Sequence, residues 1–242
     1  MESRLQLEMM PQPDNQTCGP TCLHALYRYY GYDMALSDLV AETPQLESGG
    51  TLAALLGCDA LKRGFDARIY TYNLKVFDPT WFRPHAPDLR ERLRAQMKAK
   101  PSERLHRASR AYIEFLDRGG EIKMQDLDGG LLRRYLRRKI PILTGLSATY
   151  LYQCKREYGA DDTPDDVRGY STGHFVVLCG YNTPLRRVLV ADPFLPNPLG
   201  PDHYYEIELD RVICAILLGV LTYDANLLII QPKEGCRKGT AR

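Results

Sequence analysis

The sequence predicts an α+β fold, with a helical first part packed on an antiparallel sheet drawn from the second. Three observations predict it. Apolar residues recur at steps of three and four between Thr17 and Gly64, short runs of branched and aromatic residues follow Lys139, and Asn182 to Pro184 fits a hairpin turn between two of those runs. At 242 residues, 44% hydrophobic and 26% charged, the chain is long enough to bury a full core. It shows no internal repeat or low-complexity stretch, and 1–242 reads as one domain.

In order, Leu23, Leu26, Tyr27 and Tyr30 fall on one face of a first helix, which Pro20 is placed to open and Gly31 to stop in the left-handed region. Ala35–Ala41 forms a second helix, "TPQLESGGT" a turn-rich connection, and Leu52–Arg63 a third, amphipathic helix. From about 75 to 139 the composition changes. Arg and Lys alternate with spaced Leu, Met, Tyr and Phe, which predicts two or three surface helices inserted between strands, one restarting at Pro101-Ser-Glu. Asp128 to Pro141 adds a short helix with a basic face. The strands are "PILTGLS", "HFVVLCGYN", "RRVLVADPF" and "HYYEIEL", the last alternating Tyr204, Glu206 and Glu208 with Tyr205, Ile207 and Leu209. From Asp210 a short apolar helix leads to a final buried strand, "NLLIIQP", and the tail of about 233–242 reads as frayed.

Charge and cysteine usage narrow the function. A net charge of +2 makes no case for nucleic acid or an anionic membrane, and "VICAILLGV" is too short to span one, so neither partner is expected. Seven cysteines, an odd number, with no signal-peptide pattern at the start, point to free thiols in a reducing, cytoplasmic setting. With no Cys-x2-Cys or His-x3-His spacing, neither zinc nor another cofactor is expected.

One thiol stands out. At an ordinary pKa of about 8.5 only a small fraction of a cysteine is ionised at neutral pH, so a nucleophile needs help. Cys18 sits at a helix mouth, where unpaired N–H groups favour a thiolate. Of five histidines, His24 is on the same helix and cannot easily fold back on its mouth, while His85 and His106 lie in the charged insertion. His174 begins a strand, and Asp192 ends the next; in a hairpin that start and that end lie side by side, giving a base and its orienting carboxylate. The plainer alternatives are a buried structural thiol at Cys18, His203 as the base, and Asp192 as a turn former before Pro193. Cys22, one helical turn after Cys18, reads as core.

The stretch Gln12-x5-Cys18-Gly-Pro-Thr with a helix ending in "YYG", followed by "GHFVVLCGY" and "VADP", resembles the papain-like cysteine peptidases of family 39, the double-glycine, bacteriocin-processing type, and their stand-alone bacterial relatives. The resemblance covers roughly 8–65 and 140–232 and leaves out the basic segment. It implies a papain-like fold, the nucleophile at Cys18, the base at His174, the orienting carboxylate at Asp192, and an oxyanion donor at Gln12. Gln16 is the alternative donor, but so close to the cysteine it would have to bend sharply. The implied activity is cleavage of a peptide or isopeptide bond in a peptide or protein substrate, through a thioester. The same residues would serve an amidase, deamidase or acyltransferase, and an idle groove would only bind peptides. Two softer features are "RRYLRR", a solvated basic face, and "YGADDTPDDVRGY", a lid or a solvated connection before His174; the Gly-Gly pairs read as loop formers.

Overall fold

A computed structural model describes residues 2–45 and 49–233. The tail beyond Lys233 and the centre of "TPQLESGGT" lie outside the described residues. The elements run β1 (Glu2–Arg4), α1 (Cys18–Tyr29), α2 (Leu36–Glu42), α3 (Ala53–Lys62), β2 (Phe65–Thr71), α4 (Leu89–Ala99), α5 (Glu103–Asp117), β3 (Glu121–Lys123), α6 (Gly129–Arg137), β4 (Ile142–Ser147), α7 (Ala148–Tyr152), β5 (Glu157–Tyr158), β6 (Thr163–Pro164), β7 (Gly173–Asn182), β8 (Arg187–Ala191), β9 (Tyr204–Glu208), α8 (Leu209–Leu218) and β10 (Asn226–Pro232).

One large sheet organises the chain in the order β3-β2-β10-β4-β7-β8-β9, with β1 pairing the far end of β7. All pairs are antiparallel except β2 with β3, which is parallel. The α+β expectation holds, but the expected order of helices first and sheet later does not. Strand β2 comes from the first third of the chain, between Gly64 and the turn at Asn73, and its Phe65, Ala67 and Ile69 are buried on alternate positions.

Helices α1 and α3 cover one face. Phe65 stacks under Tyr27 of α1 with ring centroids 5.1 Å apart, and Tyr27 Oη donates to Asp59 of α3 (2.6 Å), a carboxylate that Arg63 also holds (2.7 Å). Across the sheet, Tyr70 of β2 meets Tyr135 of α6 hydroxyl to hydroxyl at 2.9 Å. The basic segment supplies α4, α5 and α6, with Ser102 capping α5 and Asp128 capping α6. It is more than a surface elaboration: it also supplies β3, and Leu93, Tyr112, Phe115 and Tyr135 belong to the common core. The Phe115 ring lies against Gly57 and Gly120, where any side chain would collide with it.

An extended strap before α1 buries Leu5, Leu7 and Met9 and exposes the residues between them. Tyr204 fastens it, donating to the Leu7 carbonyl (2.6 Å) and accepting from the Met9 N–H (2.9 Å). The strap ends with the Gln12 N–H on the Pro193 carbonyl at 3.0 Å.

Behind β4 and β7, Asp224 is buried with its carboxyl over Gly145 and Gly173, whose missing side chains make the room. Burial is the main cause that pushes this carboxyl up to about 7; the Thr222 hydroxyl (2.7 Å) and the charges of Arg104 and His174 pull the other way. Because the fold holds this proton more tightly than an unfolded chain does, its stabilising effect is full below the ordinary carboxylate range and is lost as pH rises through about 7. Asp224→Asn is therefore expected to raise Tm over the wild type more at about pH 8 than at about pH 5; equal differences in thermal melts at both would refute the assignment.

Candidate active site

Helix α1 opens on Cys18 itself, two residues before Pro20. A tight turn prepares it: the Asp14 N–H donates to Thr17 Oγ1 (3.2 Å) and the Gln16 N–H to Asp14 Oδ1 (2.8 Å), leaving Thr17 as the residue before the helix. Pro20 then falls in the first turn, where a missing N–H costs nothing. Gly19 lies so close to Thr51, Leu56 and Phe175 that a side chain there would clash, so glycine lets the helix mouth reach β7.

It arrives where β8 has stopped. The last β7–β8 pair is Val177 with Ala191, so the start of β7 has a free edge. Cys22 Sγ donates to the Phe175 carbonyl there at 3.2 Å, and burial pushes this thiol well above its ordinary range. Cys18 is 8% exposed and stands near enough to His174 for its charge to act on the ring. His174 Nε2 lies 2.9 Å from Asp192 Oδ1, which leaves Nδ1 as the ring nitrogen for Cys18.

Asp192 follows the end of β8 and is fully buried. Its Oδ1 accepts from His174 and from the Phe194 N–H (3.0 Å); its Oδ2 accepts from Tyr152 Oη and Tyr205 Oη, both at 2.8 Å. Burial alone would raise this carboxyl, but the charge and hydrogen bond of His174, with the Phe194 and Tyr152 donors, hold it below the ordinary range. On His174, burial acts to lower the pKa, yet the charges of Asp192 and Cys18 and their hydrogen bonds outweigh it and lift the imidazole to about 10. The ring is flanked by Tyr152 (centroids 6.0 Å) and edge-on by Phe194 (6.2 Å).

The other histidines are elsewhere. His24 meets the Met34 carbonyl and His106 the Lys100 carbonyl, while His85 sits exposed in a loop. His203, the rival base, is adjacent but on the backbone of Asp192: its Nδ1 lies 2.7 Å from the Asp192 carbonyl. Gln12 is pinned beside Pro193; its Nε2 donates to the Asp14 carbonyl (2.8 Å), and its Oε1 is buried without a partner. Gln16 is exposed and packs on Gly49. Tyr152, Tyr205 and Phe194 escape the sequence reading. Tyr205 is visible there only as the buried side of a strand, and nothing in "ATYLYQ" marks Tyr152.

Solved structures with a similar chain course include a putative C39-like peptidase from Bacillus anthracis (15% identity, 96% of this chain and 98% of that one, TM-score 0.47). Others are a double glycine motif protease from an AMS/PCAT transporter in complex with the leader peptide (13%, 96% and 95%, TM-score 0.45) and xylellain, a cysteine protease from Xylella fastidiosa (15%, 95% and 85%, TM-score 0.44). The sequence matches no protein-family model and no curated protein.

Among the described residues, six cysteines are free, no group of three or more His, Cys, Asp or Glu could hold a metal, and no helix is long and apolar enough to cross a membrane. The acidic loop forms the β5–β6 hairpin, joined to the chain before His174 by a bridge between Glu157 and Tyr170. A charged groove of about 500 Å³ between α4 and α5, lined by Arg94, Arg110, Glu114 and Arg118, lies apart from Cys18 and holds no nucleophile.

Asp192 is the largest of the influences that raise His174, so Asp192→Asn is expected to move the imidazole titration down from about 10 toward its ordinary range, read by NMR on labelled histidine. An unmoved titration would show that the carboxylate does not govern the ring.

Proposed function

We propose that the chain is a cysteine peptidase-like hydrolase that cleaves a peptide or isopeptide bond through Cys18, His174 and Asp192. The observation that carries this is an imidazole tied at 2.9 Å to a buried carboxylate, with Cys18 near enough for its charge to act on the ring. A ring so raised can hold the proton that Cys18 gives up, so the sulfur attacks as a thiolate.

The Cys18 sulfur attacks the substrate carbonyl carbon, and the carbonyl π electrons move onto oxygen. The Cys18 backbone N–H, which as the first of the helix has no acceptor within it, faces this oxyanion. Gln12 Nε2 carries two hydrogens, of which one is spent on Asp14, and the other completes the hole; Gln16 is the alternative. As the tetrahedral centre collapses, the C–N bond breaks and His174 Nδ1 passes its proton to the leaving amine. Water, giving a proton to the now neutral Nδ1, attacks the thioester, and collapse frees the acid and returns the Cys18 sulfur as thiolate beside the protonated ring. Asp192 keeps the ring facing Cys18 throughout. The substrate is a peptide or protein, and a reducing cytoplasm would keep the thiol free.

Alkylation of each cysteine across a pH series tests this. Cys18 is expected to react selectively well below about pH 8, with His174→Ala abolishing the selectivity. Uniform, sluggish labelling of all thiols would overturn the proposal. On a peptide library, Cys18→Ala is expected to abolish cleavage, and Gln12→Ala to lower kcat by about 10² to 10³ with KM held; acyl label passing to an added amine instead of water would make the protein an acyltransferase.

A further inference from the structure

We infer that Tyr152 and Tyr205 are positioning residues that jointly lock the Asp192 carboxylate, each hydroxyl holding Oδ2 so that Oδ1 stays on His174 and the imidazole stays turned to Cys18. This rests on the reading of Cys18, His174 and Asp192 as the reactive set, and goes beyond it to two residues outside that set.

A carboxylate presents about four lone-pair sites, and a fully buried one must fill them within the protein. Asp192 does so with two donors on each oxygen. Of the donors on Oδ1, one is the reactive ring and the other a backbone N–H just after Asp192. The donors on Oδ2 come from two other elements: Tyr152 ends α7, which leaves β4 directly, and Tyr205 lies inside β9. The last side-chain torsion of aspartate is broad and roughly two-fold, so it has little stiffness of its own. On Oδ2 the fixed points are the phenols. Tyr205 is 6% exposed, and the Tyr152 ring is stacked on Phe194 at 6.1 Å, so neither hydroxyl is free to wander. Burial and the adjacent Asp192 charge push both phenols above their ordinary range, so both remain donors at any pH where the folded protein is assayed.

Two hydroxyls on one oxygen make the lock redundant. Removing one leaves Oδ2 a donor; removing both leaves a buried charged oxygen with none, and the carboxyl either turns toward other donors or takes up a proton. Either response withdraws support from the imidazolium and so from the thiolate. A merely structural pair would lower stability without changing how Cys18 reacts.

The experiment measures the rate of Cys18 alkylation by iodoacetamide at about pH 6, alongside thermal melting, in Tyr152→Phe, Tyr205→Phe, the double variant, Asp192→Asn, and their combinations. Each single variant is expected to slow alkylation by less than about threefold and the double by about tenfold or more, more than the singles multiplied. Added to Asp192→Asn, neither phenol change is expected to slow it further. A double variant as reactive as the wild type would overturn the proposal, and so would an equal loss in the Asp192→Asn background. If the double variant does not fold, the single variants with and without Asp192→Asn make the same comparison, and a loss that persists without the carboxylate refutes it. A wild-type Cys18 that is unreactive at this pH would instead bring down the reactive set itself, and this role with it.

Discussion

The site depends on one buried charge. An ionised carboxylate inside a protein is costly unless it is paired and its oxygens are saturated. Asp192 meets both conditions, and doing so dictates much of the surrounding structure. β8 must end at Ala191 so that the carboxyl turns inward, the chain must double back so that the Phe194 N–H reaches Oδ1, and α7 and β9 must bring their tyrosines to the other oxygen. The backbone of Asp192 is fixed as firmly, exchanging hydrogen bonds with His203 through its N–H (2.8 Å) and its carbonyl (2.7 Å). His174 is thereby oriented by a group that has almost no freedom of its own.

Cys18 reaches this arrangement at the mouth of α1, and a glycine sets how near it comes. Gly19 lets the mouth of α1 sit on Phe175, and the early end of β8 leaves the Phe175 carbonyl for Cys22. The strap through Leu7 and Met9 brings Gln12 beside Asp192, its N–H donating to the carbonyl of the next residue, Pro193, at 3.0 Å. Cys18, His174, Asp192 and Gln12 come from three separate parts of the chain, and each is placed by backbone geometry.

Much of this was legible in the sequence because it rests on local pattern. Helical spacing marked α1 and α3, Gly31 stops α1 at φ +74°, and "PILTGLS", "HFVVLCGYN" and "NLLIIQP" are strands close to the expected bounds. The hairpin that joins His174 to Asp192 follows from two neighbouring strands and a turn. What was missed is set by tertiary context. Strand β2 alternates Phe65, Ala67 and Ile69 with Asp66 and Arg68 over seven residues and carries its own pattern, unread among the helices around it, whereas β3 has three residues and only a parallel partner. Tyr152 and Tyr205 could not be read at all, because a tyrosine that fills a core and one that holds a carboxylate have the same pattern until the carboxylate is placed.

Asp192 and Asp224 carry this furthest, because they are the same side chain, both buried, on either side of β7. Burial acts on each in the same direction, yet Asp192 lies below the ordinary carboxylate range and Asp224 at about 7. The difference is in what faces them. Asp192 has the His174 ring at 2.9 Å and three further donors; Asp224 has one hydroxyl, and feels Arg104 and His174 only as more distant charges. His174 thus supports one carboxylate fully and the other weakly, and the strand between them decides which. The pleat of β7 fixes the face on which His174 stands, and on that face the lock on Asp192 holds the orientation of the imidazole.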